Sequence, residues 1–296
     1  MPYTRWCAEW NVIISRWRNA PCIPGRNRAM TTFSNRLLAW YDQHGRKQLP
    51  WQEDRSDYRV WLSEIMLQQT QVTTVIPYFQ RFIQRFPDVA ALATASLDEV
   101  MSEWAGLGYY ARARNLHRCA QQVHREYRGQ FPQDPQVLMT LPGIGRSTAG
   151  AIVAQAYNRR AVILDGNVKR VLSRYRAIPG WPGRATVQRQ LWATADELTP
   201  TDRCADYTQA IMDLGALVCV RQSPTCTACP VSHDCLARLH GNPHAYPEKR
   251  QREKLVTREV MALLCYQSDG SILLERVASA ERYLGGTVEP AGMPDA

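Results

Sequence analysis

The sequence lacks a hydrophobic run long enough to cross a bilayer. Its longest apolar stretches, Ala149 to Tyr157 and Ala161 to Leu164, fall well short of the roughly 18 residues that a transmembrane helix needs. It also lacks a secretory signal, and its nine cysteines are an odd number, so metal ligation is favoured over a disulfide framework. We therefore expect a soluble chain with no membrane partner.

Composition and charge narrow the class of protein further. At 296 residues the chain exceeds what one hydrophobic core usually organises, so we expect two compact units plus tails. A hydrophobic content of 45% with 21% charged residues argues against global disorder. The net charge of +9 favours a polyanionic partner, because basic surfaces release counterions from a phosphate backbone. Many basic proteins bind no nucleic acid, so specific motifs are needed to identify the partner.

The predicted organisation begins with an extension and a helical region. Residues 1–29 are rich in Arg and Trp and almost without acids, which predicts a disordered extension or a non-native start. Residues 30–240 show apolar positions recurring every three and four, the helical pattern. Within this region we expect a six-helix-type part at about 50–160 and a flanking part that ends in a cysteine loop at 219–235.

The last part of the sequence changes character. Residues 241–259 are charged and contain two prolines, which predicts a solvated linker. In residues 260–296, two short apolar runs flank Ser268-Asp269-Gly270, a hairpin signal. We therefore predict a short β-containing fragment, too small to close a stable core alone.

A glycine hairpin carries the strongest single motif. Residues 141–147 read Leu-Pro-Gly-Ile-Gly-Arg-Ser, and a helical stretch lies on each side. Gly143 and Gly145 permit a tight turn, and the following helix aims unpaired N–H groups at an anion. A DNA phosphate suits such a site without base reading. The alternative is a plain packing corner between two helices.

The sequence surroundings of two carboxyl groups predict different protonation states for them. Asp165 precedes a predicted helix, whose partial positive charge favours the ionised form, although a simple N-cap would look the same. Glu64 shares a predicted helix face with Val60, Trp61 and Leu67, and such an apolar wall favours the protonated form. The alternative for Glu64 is a solvated surface glutamate.

Two further motifs are candidates for binding. Residues 106–115 combine glycines, two tyrosines and alternating arginines, and an aromatic ring inserted beside a flipped base can replace the lost stacking. A loop with a core tyrosine and solvated arginines is the alternative. Four cysteines with spacing 6-2-5 would wrap one metal centre, either an iron–sulfur cluster or a structural zinc ion; they are Cys219, Cys226, Cys229 and Cys235.

In this order, WLSEIMLQQTQV, LPGIGRSTAG, LDGNVKR and the cysteine loop resemble the MutY-type adenine DNA glycosylases from about residue 33 to 246. The resemblance implies a mainly α fold, a two-part helix-hairpin-helix glycosylase with a [4Fe–4S] loop, followed by the β-containing fragment as a partial Nudix-like domain. It implies that Glu64 protonates adenine and that Asp165 stays charged, with Asn167 beside them. It also implies DNA contacts by Gln68, Gln69, Tyr109, Gly143, Gly145, Ser147, Lys169 and Arg221.

The implied reaction is removal of adenine, by base flipping, from double-stranded DNA in which adenine is mispaired with 8-oxoguanine or guanine. Bifunctional endonuclease III enzymes carry a lysine where this sequence has Ser147, so we expect a monofunctional enzyme. The final residues depart from the Nudix-like pattern, so we expect weaker opposite-base selectivity. We also expect a monomer in the bacterial cytoplasm, associated with the nucleoid. The alternatives are a bifunctional glycosylase/lyase and a non-catalytic DNA-binding module.

Overall fold

The computed structural model describes residues 26–250, with side chains from Phe33 onward. The predicted β-containing fragment at 260–296 and most of the predicted extension at 1–29 lie outside the described residues. The chain divides into two compact units after Arg250, inside the predicted linker. No helix among the described residues is long and apolar enough to span a membrane.

The described part of the chain is helical and contains no strand, which confirms the mainly α prediction. A π-helical turn at Leu214–Val218 and short 3-10 turns at Cys226–Ala228, Ser232–Asp234 and Pro243–Ala245 complete it. The α-helices are α1 (Arg26–His44), α2 (Pro50–Glu53), α3 (Asp57–Met66), α4 (Val72–Arg85), α5 (Val89–Thr94), α6 (Leu97–Trp104), α7 (Ala111–Tyr127), α8 (Pro135–Leu138), α9 (Arg146–Tyr157), α10 (Gly166–Tyr175), α11 (Ala185–Leu198), α12 (Cys204–Asp213) and α13 (Leu236–Leu239).

One hydrophobic core is built from residues 49–161 together with Cys204. Its largest fully buried side chains include Trp61 and Trp104, and the Trp61 and Phe131 rings lie 4.9 Å apart between centroids. Aromatic rings bury large apolar areas, and offset or tilted pairs add to that stabilisation. The apolar positions that recur every three and four in the sequence therefore face inward here.

A second core joins α1 with the helices that follow residue 160. Phe33 on α1 packs against Tyr175 on α10, with ring centroids 4.7 Å apart, and Leu191 and Leu214 are fully buried beside them. The N-terminal helix thus returns to pack against the C-terminal half of the described chain. Helix α9 contacts both α3 and α12 and so connects the two cores.

Two predicted boundaries are corrected. Helix α1 begins at Arg26, inside the predicted extension, because a helical backbone continues upstream of the apolar pattern that marks the buried face. The start of the predicted linker is packed on the helical unit: Arg174 donates to the carbonyls of Pro243 (2.9 Å) and Tyr246 (3.0 Å). A buried guanidinium needs acceptors, and the sequence does not show which backbone supplies them.

Candidate active site

Glu64 lies on α3, a helix that is otherwise largely buried. Its side chain is partly accessible, and its Oε1 accepts a 3.1 Å hydrogen bond from Nε2 of Gln155 on α9. Burial first, and the nearby negative charge of Asp165 second, raise the pKa of Glu64 to about 8, although the Gln155 hydrogen bond opposes the shift. The carboxyl therefore keeps its proton at neutral pH.

Asp165 is the N-cap of α10, where its Oδ1 accepts a 2.7 Å hydrogen bond from the Val168 N–H. Burial raises the pKa of Asp165 as well. The N–H groups of Val168 and Asn167 and the positive charges of Arg170 and Lys169 oppose that shift. The N-cap role that the sequence allowed as an alternative is thus real, and it is the same geometry that stabilises the carboxylate.

The two carboxyls lie within electrostatic range of each other, since the charge of Asp165 contributes to the raised pKa of Glu64. Donors and cations surround Asp165, whereas Glu64 has one amide donor, so the first proton of the pair leaves Asp165. When that proton has left, the pair consists of one proton donor, Glu64, beside one negative charge, Asp165. This arrangement suits protonation of a leaving group next to a carbon that develops positive charge.

Arg170 ties the start of α10 to the approach of the cysteine loop. Its Nη2 donates to Asn167 Oδ1 and to the Gly215 carbonyl, each at 2.8 Å, and its Nε donates to the Cys219 carbonyl at 2.8 Å. A Cβ on Gly215 would meet the Asn167 Cβ at 2.7 Å, so this packing requires glycine. The oxygen of Asn167 is therefore engaged with Arg170, and a catalytic role for Asn167 stays a prediction.

Ser147, near the start of α9, holds the segment that leads to Asp165. Its Oγ accepts a 3.0 Å hydrogen bond from the Leu164 N–H, one residue before the carboxyl. The hydroxyl is only partly accessible. The structure thus gives Ser147 an internal function in positioning Asp165, and its predicted contact with DNA stays a prediction.

The two hairpin glycines differ in what they do. Gly143 has φ +79°, the left-handed region that favours glycine, and a Cβ there would lie 3.1 Å from the Asn115 Cβ. Gly145 is the N-cap of α9 with φ −92°, and a Cβ there would have no neighbour within 4 Å among the described residues. No internal packing therefore explains Gly145, whose exposed backbone opens outward at a helix N terminus.

Two exposed loops carry strained non-glycine residues. Gln69, in the loop after α3, has φ +59°, and Tyr109, in the loop before α7, has φ +50°. The Tyr109 side chain is 58% exposed. Left-handed backbone in such residues costs free energy and concentrates at binding and catalytic sites. Gln68 is only partly accessible, so of the two glutamines Gln69 faces solvent more fully.

Arg112 holds these two loops together. Its side chain is 8% exposed, and Nη1 donates to the Gln68 carbonyl at 2.7 Å while Nη2 donates to the Gly108 carbonyl at 3.2 Å. Further donor contacts reach Ile65 O, Met66 O, Leu107 O and Thr70 Oγ1. The alternative of solvated arginines in this segment is therefore wrong for Arg112. Its helical spacing from buried Leu116, Cys119 and Val123 was the available signal.

The four cysteines of the loop line one cavity, together with the buried Arg174. Burial raises the pKa of Cys229 to about 12; the Val231 N–H opposes that shift, and the other three thiols add to it. Arg174 Nη1 donates to Cys219 Sγ at 3.3 Å, and Nη2 donates to the carbonyl of Arg221, whose own side chain is exposed, at 3.1 Å.

This donor set fits a thiolate-bound group. Among residues 26–250, no group of three or more His, Cys, Asp or Glu side chains is arranged to hold a metal ion, whereas four thiols face one shared cavity. Arg174 places its positive charge next to one of the sulfurs, Cys219 Sγ. The residues present therefore fit a group that fills the cavity and is ligated by sulfur.

Sequence reasoning missed a set of buried polar side chains beside Glu64. Gln155 accepts from Gln52, which also contacts Gln209, and Gln209 donates to Asp213, the partner of Arg46. Gln155 lies in a stretch that the sequence marks as apolar, and the others are scattered along the chain. Only the fold brings them together.

Comparison with known proteins identifies the class first. The profile of the HhH-GPD superfamily base excision DNA repair proteins matches residues 62–197. A thermostable thymine-DNA glycosylase has the same fold, with a TM-score of 0.64 at 24% identity over 72% of this chain and 98% of its own. An endonuclease III in a non-covalent DNA complex is similar, with a TM-score of 0.60 at 21% identity over 72% and 98%.

The particular family follows from curated relatives. Adenine DNA glycosylase of Buchnera aphidicola subsp. Baizongia pistaciae (strain Bp) is 41% identical over 83% of this chain and 70% of its own length. That of Buchnera aphidicola subsp. Acyrthosiphon pisum (strain APS) is 44% identical over 75% of this chain and 64% of its own length, and the human one is 47% identical over 71% and 40%. The chain belongs to the adenine DNA glycosylase family. It spans less than two thirds of the length of two of these three relatives.

Proposed function

We propose that this protein is an adenine DNA glycosylase of base excision repair, which hydrolyses the N-glycosidic bond of adenine mispaired with 8-oxoguanine or guanine. The observation that carries the proposal is the carboxyl pair, in which Glu64 has a pKa of about 8 beside the N-capping Asp165. The curated relatives are named adenine DNA glycosylases, which specifies the base.

The reaction uses the two carboxyls in different roles. Glu64 donates its proton to a ring nitrogen of the extruded adenine, and the C1′–N9 bond breaks with its electron pair leaving on the base. The ionised Asp165 stabilises the positive charge that develops on the sugar. Water then adds to C1′ and loses a proton, which leaves an abasic site and free adenine.

Strand cleavage by an attached amine is not expected. Ser147 occupies the position at which endonuclease III enzymes carry a lysine, and its hydroxyl is bonded to the Leu164 N–H. Lys169 is the lysine whose positive charge acts on Asp165, and it supports the carboxylate there. A monofunctional enzyme therefore forms little Schiff base with the sugar.

Double-stranded DNA is the proposed partner of a monomeric protein. The outward-facing start of α9 at Gly143 and Gly145 suits a backbone phosphate, and Lys169 and Arg221 add positive charge. In this proposal Tyr109 and Gln69, on loops that Arg112 holds together, enter the stack beside an extruded base.

The cofactor proposed for the cysteine cavity is a [4Fe–4S] cluster held by Cys219, Cys226, Cys229 and Cys235. The shared cavity and the hydrogen bond from Arg174 to Cys219 Sγ support it. When bound, the cluster supplies structural cross-linking of the loop and no step of base removal. Metal analysis of purified protein should find iron and acid-labile sulfide in equal amounts; zinc in their place would overturn this proposal.

The experiment is a single-turnover assay on duplexes with adenine opposite 8-oxoguanine or guanine, followed by alkali to reveal abasic sites. We expect strand breaks after alkali, few before it, and none with a Glu64→Gln variant that still binds DNA. Binding without base release by the wild-type protein would favour a non-catalytic DNA-binding module. Heavy borohydride trapping that is lost in Lys169→Ala would favour a glycosylase/lyase.

A further inference from the structure

A chain of buried hydrogen bonds runs from an ion pair on one side of the helical unit to Glu64. Asp213 Oδ1 accepts from Arg46 Nη2 and from Gln209 Nε2, both at 2.7 Å. Gln209 Oε1 accepts from Gln52 Nε2 at 2.8 Å, and the same Nε2 donates to Gln155 Oε1 at 2.9 Å. Gln155 then donates to Glu64 Oε1 at 3.1 Å.

In this series of hydrogen bonds, the Arg46–Asp213 pair at the end opposite Glu64 determines which group donates at each step. Arg46 is always protonated and donates to Asp213 through its backbone N–H and its guanidinium, so the carboxylate is an acceptor. Gln209 must then turn its nitrogen to Asp213 and its oxygen to Gln52. Gln52 must in turn offer its nitrogen to both neighbouring amide oxygens, Gln155 included.

One unsatisfied atom shows that this direction is imposed on the amides. Gln52 Oε1 is buried and has no hydrogen-bond partner among the described residues. An unmet buried acceptor costs free energy, so a free choice of orientation would avoid it. The reversed orientation of Gln52 would set its oxygen against the oxygens of Gln155 and Gln209, which is less favourable still.

We propose that Gln155, and the Arg46–Asp213 pair acting through Gln209 and Gln52, are positioning residues that fix which oxygen of Glu64 carries the transferable proton. Because Gln155 can only donate, Glu64 Oε1 is held as an acceptor and the proton resides on Oε2. The inference rests on the proposed function, since it concerns the acid that protonates the base. No residue of this chain except Glu64 donates a proton to the substrate in this scheme.

The charged group that acts on Glu64 is Asp165, and the polar group is Gln155. The Gln155 hydrogen bond stabilises the charged form of Glu64 and so lowers its pKa. Removal of that donor leaves the acid protonated to higher pH. A loss of packing at position 155 has no such signature, which gives the test its specific readout.

The test measures single-turnover base release against pH for Gln155→Met, which keeps the side-chain length and removes the donor. We expect a rate about tenfold lower at neutral pH, because the proton is no longer confined to one oxygen. We also expect the alkaline limb of the profile to move to higher pH. DNA affinity should be unchanged, and Gln80→Met on the exposed face of α4 is the matched control.

A second variant tests the far end of the chain without stranding a buried charge. In Arg46→Met/Asp213→Leu both partners become apolar, a replacement that buried ion pairs often tolerate. We expect a smaller loss of rate and an alkaline limb displaced in the same direction. The inference would be overturned if folded Gln155→Met had the wild-type rate and the wild-type alkaline limb of the pH–rate profile. It would also be overturned by a slower rate with an unmoved alkaline limb. An inactive wild-type protein would instead overturn the proposed function.

Discussion

The carboxyl pair and the cysteine cavity differ in the hydrogen-bond donors that reach them. At Glu64, burial and a neighbouring anion hold the proton on, and one amide is the hydrogen-bond donor to the carboxyl. At the cavity, the buried Arg174 brings a full positive charge to Cys219 Sγ and to three backbone carbonyls of the loop. A neutral amide is thus the donor at Glu64, whereas a cation is the donor at Cys219 Sγ and the loop carbonyls.

Asp165 shares features with both the Glu64 site and the cysteine cavity. Like Glu64 it is partly accessible and has a raised pKa, yet backbone N–H groups and two cations favour its charged form. Arg170 connects the regions physically, since one guanidinium donates to both Asn167 and the Cys219 carbonyl. Two carboxyl groups with similar burial can therefore differ in protonation, because different hydrogen-bond donors and charges surround them.

The largest expected effect comes from removing the charge of Asp165. In Asp165→Asn we expect base release to slow by about a thousandfold, because the fixed charge beside the sugar is lost. The Val168 N–H keeps an acceptor oxygen, so the fold and DNA binding should persist. Single-turnover rates and binding affinity on the same duplex provide the check, and a loss below tenfold would remove Asp165 from the reaction.

The next effect concerns the cavity. In Arg174→Met the carbonyls of Val220, Arg221 and Pro243 lose their donor, and we expect the free energy of unfolding to fall by about 3 kcal/mol. Iron content should fall as well. Chemical denaturation and metal analysis measure both quantities, with the more exposed Arg176→Met as control. Equal stability of the two variants would show that Arg174 does not organise the loop.

A smaller effect appears in stability against pH. The folded pKa of Glu64, about 8, lies above its ordinary value of 4.5, so the folded state binds this proton more tightly than the unfolded state. Wild-type stability therefore falls as pH rises from about 4.5 to 8. Glu64→Gln lacks this loss, and we expect its advantage to grow to roughly 4 kcal/mol at pH 8. Denaturation at pH 5 and pH 8 measures it; a constant difference would contradict the raised pKa.

The smallest effect is at Tyr109. Glycine adopts φ +50° without strain, so Tyr109→Gly should relieve up to about 1 kcal/mol of strain in the folded backbone, partly offset by the freer unfolded chain. Base release should nevertheless slow by about tenfold, because the ring that would fill the stack is gone. The stability and the base-release rate of the variant, measured in parallel with the wild type, test both expectations. An unchanged rate would leave Tyr109 without a role in base extrusion.

The apolar periodicity of the sequence predicted the helical class, whereas Glu64 and Asp165 were marked by motifs that resemble a known family. Sequence reasoning missed Arg112 and Gln155, whose roles depend on acceptors 40 to 100 residues away in the chain. It also placed a linker where Arg174 binds backbone carbonyls. Long-range hydrogen bonds of this kind leave no periodic trace, so only the assembled fold shows them.

The most direct test of the acid–carboxylate pair is the pH dependence of single-turnover base release on adenine opposite 8-oxoguanine, with DNA binding measured at each pH. A pKa of about 8 for Glu64 predicts a rate that is level near neutral pH and falls about tenfold per pH unit above pH 8. A rate that stays level or rises to pH 10, with binding intact, would contradict a protonated Glu64 as the donor.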